Sequence, residues 1–154
     1  MTEVFNTKES VSGLVPHNGK MFLLDRVRDY NLKENSITTE IDITRDNLFY
    51  EEELGGVPIW IAFEYMAQSV SALSGIHGRA KGEKPKNGFI MSVSAFKADV
   101  PVFKVGEKVV VNVIENIRMD NAVTFEGSAM VNGALAVTAK LNTVEVDDSK
   151  NSLN

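Results

Sequence analysis

Apolar residues are densest between Pro58 and Ile76, PIWIAFEYMAQSVSALSGI. Ile59, Phe63, Met66, Val70 and Leu73 recur at steps of four and three, the spacing of a helix, while Trp60, Ile61, Ala62, Ala67 and Ala72 make the other faces nearly as apolar. The pattern predicts one helix wrapped on most sides. Pro58 suits the first turn, where its missing amide hydrogen is not needed, and Gly75 and Gly78 followed by charged residues suit the end. The run is long enough to cross a bilayer, but Glu64, Gln68, Ser69, Ser71 and Ser74 make it a poor membrane segment. Burial against a sheet is the expectation.

The rest of the chain is patterned as strands. Phe22–Tyr30 and Ser36–Ile43 form a predicted hairpin joined by polar Asn31–Asn35. After the helix, Gly88–Ala98, Glu107–Met119, Ala122–Val131 and Ala134–Val146 are rich in β-branched residues. Pro101, Gly106, Asp120-Asn121 and Asn132-Gly133 separate them, the last being the strongest hairpin-turn signal. Val109, Val111 and Val113 alternate with Val110, Asn112 and Ile114, so that strand is apolar on both faces and predicted to be central. Thr44–Val57 reads as irregular and acidic, and Gly78–Asn87 as a surface connection. Residues 1–12 show no sustained period and predict a flexible arm, 13–146 a single domain, and 147–154 a polar tail. Two strands, one buried helix and four further strands define an α+β class: a hotdog fold, with a curled antiparallel sheet wrapped around one long central helix.

Composition narrows the function. With 44% hydrophobic and 24% charged residues and a polar, acidic N-terminal stretch, the chain is expected to be soluble and cytoplasmic. The absence of cysteine excludes disulfides, thiolate nucleophiles and cysteine metal sites. A net charge of −5 argues against general nucleic-acid binding, although Arg79, Lys81, Lys84 and Lys86 form a local basic run. No dinucleotide, phosphate-loop, zinc or calcium pattern occurs, so neither a metal nor a dissociable cofactor is expected.

Two stretches carry a family resemblance. Val15-Pro16-His17-Asn18-Gly19-Lys20-Met21-Phe22-Leu23-Leu24-Asp25-Arg26-Val27 and Glu64-Tyr65-Met66-Ala67-Gln68 resemble the 3-hydroxyacyl-acyl-carrier-protein dehydratases, in particular their divergent branch associated with aryl-polyene-type biosynthesis. The resemblance spans about residues 12 to 146. It implies loss of water from a 3-hydroxyacyl thioester on an acyl carrier protein, giving the trans-2-enoyl thioester. The phosphopantetheine would arrive with the carrier. It also implies a homodimer, or a heterodimer with a related hotdog subunit, with the active site at the interface. Hotdog proteins also include acyl thioesterases and non-catalytic subunits, which stand as alternatives.

Dehydration needs a base for the proton beside the carbonyl and an acid for the departing hydroxyl. Glu64 is the one acid inside the apolar run, where burial disfavours a charged carboxyl and favours proton donation. A structural alternative pairs it with Gln68, one turn away, or with a neighbouring amide. By resemblance Gln68 supports the acid; a helix-interface hydrogen bond is the other reading. Gly55-Gly56 ahead of the helix predicts amide donors for an oxyanion and, with Trp60, a substrate-binding edge.

The main family carries Gly-His-Phe-Pro-Gly before its acid. Here Glu53-Leu54-Gly55-Gly56-Val57-Pro58 stands instead, without histidine, and the run on to Glu64 is shorter by about three residues. Of the two histidines, His77 lies 13 positions beyond Glu64, roughly 20 Å along a helix, and reads as a charge at the helix C-terminus. His17 is therefore the candidate base, and the resemblance allows it to meet Glu64 of a second chain. Arg79, Lys81, Lys84 and Lys86 are candidates for docking the acidic carrier.

Overall fold

The computed structural model describes residues 4–15, 19–82 and 87–146. Among these, a short helix α1 (Lys8–Ser12) comes first, followed by a hairpin of β1 (Arg26–Asn31) and β2 (Ser36–Asp42), a short strand β3 (Gly56–Pro58) and the long helix α2 (Ala62–Ala80). Then follow β4 (Asn87–Ala98), β5 (Val102–Lys104), β6 (Lys108–Met119), β7 (Ala122–Val131) and β8 (Ala134–Val146). Six strands form one antiparallel sheet in the order β1-β2-β6-β7-β8-β4, and β3 pairs with β5 in a small second sheet. The sheet curls around α2, as expected of a hotdog fold.

The apolar patterns explain this arrangement. Val109, Val111 and Val113 are fully buried on the concave face, whereas Val110 and Ile114 are half-buried on the other, so β6 is the interior strand that its sequence predicts. Tyr65, Met66, Ala72, Leu73 and Ile76 are the buried stripe of α2 that meets the sheet. Thr39 and Ser69 are also buried there, their hydroxyls 2.7 Å apart, and Ser69 donates to the Tyr65 carbonyl, so neither polar group is left unsatisfied. Asn132-Gly133 turns β7 into β8 with both residues at positive φ, as a tight hairpin requires.

Three boundaries differ from the sequence reading: β1 begins at Arg26 and not at Phe22, and both ends of the helix shift. Pro58 ends β3, and a 3-10 turn at Ile59–Ile61 separates it from α2, because Val57 pairs with Phe103 of β5 before the helix can begin. Strands of three residues are too short to show a period. At the other end α2 runs through Gly75 and Gly78, both buried, to Ala80. Gly75 is a site of close approach: a Cβ there would stand 2.2 Å from the Leu14 carbonyl oxygen.

The largest correction concerns the expected arm. Phe5 is buried and accepts a 2.7 Å bond from the Val27 amide, Thr7 and Ser10 cap α1 reciprocally, and Val11 and Leu14 are fully buried. Phe5, Val11 and Leu14 share no period, yet all three are buried in the core, with Phe5 beside Arg79 and Leu14 against Gly75, so residues 4–15 belong to the folded body. The tail, 147–154, lies outside the described residues.

Candidate active site

Glu64 stands in the first turn of α2 and is half-buried. One turn on, Gln68 is completely buried and makes three contacts. Its Oε1 accepts from the Leu23 amide at 2.8 Å, and its Nε2 donates to the Met21 carbonyl at 2.7 Å and to Glu64 Oε1 at 3.3 Å. Gln68 is therefore a helix-interface clamp that also bonds the Glu64 carboxyl. The clamp fastens the backbone of Met21–Leu23 beside Glu64.

His17, the candidate base, lies outside the described residues. It precedes Met21 by four residues, at most about 14 Å of chain. The clamp fixes Met21 and Leu23, and no residue before Gly19, to the helix that carries Glu64.

Trp60, on the 3-10 turn before α2, is 54% exposed; its ring stacks on Phe63 at 6.2 Å between centroids and meets Phe49 edge-on. An apolar surface therefore borders Glu64. Tyr65, by contrast, is buried against Phe103 and belongs to the core.

Gly55 and Gly56 do not offer the amides expected of them. The Gly55 amide donates to the Glu52 carbonyl and the Gly56 amide to that of Glu51, while the Ile59 amide donates to Pro101. The glycines answer local geometry instead. Gly55 sits at φ 66°, in the left-handed region, and a Cβ on Gly56 would lie 1.9 Å from the Phe103 carbonyl oxygen.

The basic run is divided. The Arg79 guanidinium lies over the Phe5 ring, 5.5 Å from its centroid, and beside Gly13, so it holds the N-terminal segment. Lys81 lines a cavity next to His77, and Lys84 and Lys86 lie outside the described residues.

His77 is not the charged end of a helix. It is half-buried and its Nε2 is 2.8 Å from Asn35 Oδ1. Burial, reinforced by Lys81, holds its pKa below the ordinary 6.5, which outweighs the pull of the helix terminus. Asn35, Glu115, Arg118 and Glu145, which surround it, are contributed by elements far apart in sequence, and no spacing announced them.

A curled sheet around a helix that carries an acid in its first turn defines a hotdog protein, and comparison with known proteins adds the class of reaction. The family model for the ApeP-like proteins, described as ApeP dehydratase, matches residues 9–154. The chain belongs to this dehydratase family. No curated protein matches it. Among solved structures it is similar to the dehydratase heterocomplex ApeI:P from Xenorhabdus doucetiae, at 26% identity and TM-score 0.82 over 93% of this chain and 95% of the other. A hypothetical thioesterase from Streptococcus pneumoniae TIGR4 (9% identity, TM-score 0.61, 79% and 84% covered) and the phenylacetic acid degradation protein PaaI from Thermus thermophilus (11%, 0.60, 79% and 92%) share the fold.

Proposed function

We propose that this dehydratase acts on a 3-hydroxyacyl thioester carried by an acyl carrier protein and forms the trans-2-enoyl thioester. The observation that carries the reading is the Gln68 clamp, which holds the backbone beyond His17 and the carboxyl of Glu64 on one side of the helix start. In the proposed step His17 removes a proton from the carbon next to the carbonyl. The electron pair forms the new double bond, the carbon–oxygen bond at the third carbon breaks, and the hydroxyl leaves as water with a proton from Glu64. Trp60 and Phe63 offer an apolar edge for the acyl group as it enters. Lys81, Lys84 and Lys86 would receive the acidic carrier.

The assay is mass spectrometry of a 3-hydroxyacyl carrier protein, reading loss of water against loss of the acyl group. Glu64→Gln and His17→Ala should each lower turnover roughly a hundredfold or more, the usual worth of a positioned acid or base. Release of free acid without enoyl product would make the protein a thioesterase, and turnover by His17→Ala at the wild-type rate would remove His17 from the step.

A second reading is favoured by the ApeI:P relative, which is described as a heterocomplex. Here the chain works beside a related hotdog subunit that supplies part of the catalytic machinery. Activity that appears only on adding such a partner, and that survives Glu64→Gln, would select it.

A further inference from the structure

The Leu23 amide gripped by Gln68 sits in residues 22–25, a stretch that belongs to neither helix nor strand. Backbone of this kind takes its place from the side chains that reach it. From the core, Gln68 holds the Leu23 amide and the Met21 carbonyl, and the same Nε2 donates to Glu64 Oε1. From the surface comes Lys8.

The Lys8 ammonium addresses three residues of this one stretch. It donates to the Leu24 carbonyl at 3.2 Å, pairs with Asp25 Oδ1 at 3.7 Å and lies over the Phe22 ring, 4.6 Å from its centroid. Its target is itself fixed. Asp25 Oδ2 accepts the Asp42 amide of β2 at 2.7 Å, and the Asp25 amide donates to the Glu40 carbonyl at 3.0 Å, so the carboxylate is pinned to β2.

Lys8 is also held from behind. Thr7 and Ser10 cap α1 reciprocally, and Val11 and Leu14, both fully buried, anchor it to the core. For α1 itself the residue is a poor choice, since a cation in the first turn opposes the helix dipole. Its contacts with residues 22–25 are the ones that account for it.

Resting on the dehydratase reading above, we infer that Lys8 is a positioning residue for the acid. By holding residues 22–25 from outside, it fixes the Leu23 amide against which Gln68 sets its carboxamide, and the carboxamide in turn fixes the Glu64 carboxyl that gives its proton to the departing hydroxyl. The N-terminal segment therefore serves the reaction as well as the fold. Lys8 acts through Gln68 and not on the substrate, so its loss should appear in the rate of the chemical step and not in binding.

The test uses the full chain. Lys8→Met keeps the apolar stem and removes the ammonium, whereas Lys8→Arg restores a cation that can reach the same groups. In the carrier-protein assay for loss of water, Lys8→Met should lower kcat per folded molecule about threefold to tenfold, the usual worth of one hydrogen bond, with KM unchanged. Lys8→Arg should recover most of the loss. Hydrogen exchange without substrate gives a second measurement. The Leu23 amide should exchange faster in Lys8→Met by a similar factor, while the Val27 amide, which donates to Phe5, should keep its wild-type rate. Asp25→Asn, which retains an acceptor for the Asp42 amide, should show both effects to a smaller degree, and it takes the place of Lys8→Met if that variant does not fold. An unchanged kcat in Lys8→Met overturns the proposal. Equal acceleration at Leu23 and Val27 also overturns it, because Lys8 would then only fasten the N-terminal segment to the body. If wild type dehydrates no substrate while Leu23 alone exchanges faster in the variant, Lys8 is upheld as the holder of the clamp and the dehydratase reading falls. A wild type that dehydrates at a rate Lys8→Met leaves intact does the reverse.

Discussion

At the scale of the residue, Gln68 shows how one side chain joins stability to chemistry. Gln68→Leu removes the partners of the Leu23 amide and the Met21 carbonyl, both held at hydrogen-bonding distance from the helix. Each orphaned group costs about 1–3 kcal/mol, so denaturant unfolding should show a loss of about 2–6 kcal/mol. Turnover should fall further than this loss of folded protein explains, since Glu64 also loses its neighbour. A variant with unaltered turnover per folded molecule would reduce Gln68 to a structural clamp. His77 makes a pH prediction. Its folded pKa is below that of the unfolded chain, so the unfolded state binds the extra proton as pH falls past 6.5. Stability from this group is whole above 6.5 and is lost below it, and His77→Gln should show a shallower decline on the acid side in melts taken at stepped pH. The neighbourhood of Glu64 and Gln68 was legible because each is a polar group in an apolar helix, one turn apart. The surroundings of His77 were not, because Asn35, Glu115 and Glu145 meet only after three strands have paired.

At the scale of the element, the glycines expected to end α2 or to open an anion site mark instead where backbones touch. Gly75→Ala would press a methyl group on the Leu14 carbonyl, and overpacking of this kind costs about 1–3 kcal/mol or more. The damage should be local. Hydrogen exchange of the Val27 amide, which donates to Phe5 in the same N-terminal segment, should accelerate more than that of amides in β6. Uniform acceleration would show that residues 4–15 are not a separable layer. Gly82→Ala serves as the control for added bulk, since nothing lies within 4 Å of its Cβ position, although its φ of 70° carries a backbone cost. The long strands were readable from their valine alternation to within a residue or two; β3, β5 and α1 were not, because three to five residues fixed by tertiary partners leave no periodic trace.

At the scale of the whole molecule, β4 is paired among the described residues with β8 alone, and residues 94–98 are all exposed. Bare edge strands recruit partners. A second hotdog chain laid against β4 would extend the sheet, and the thermal midpoint should then rise with protein concentration. Sedimentation that finds a stable folded monomer at micromolar concentration would count against such an assembly. The sheet order itself was not legible in the sequence. Local patterning announces that strands exist, whereas neighbours such as Ser36 and Ile114 are chosen by burial shared around α2.

The same order has a consequence for how the protein is made. The helix is finished at Ala80, yet β6, β7 and β8, which cover it, are not complete until Val146. At translation speeds of roughly 5–20 residues per second, an apolar helix would wait several seconds at the ribosome with most of its lining still unsynthesised. The nascent chain is thus a natural client for holding chaperones, and its yield should depend on how quickly its final third is translated.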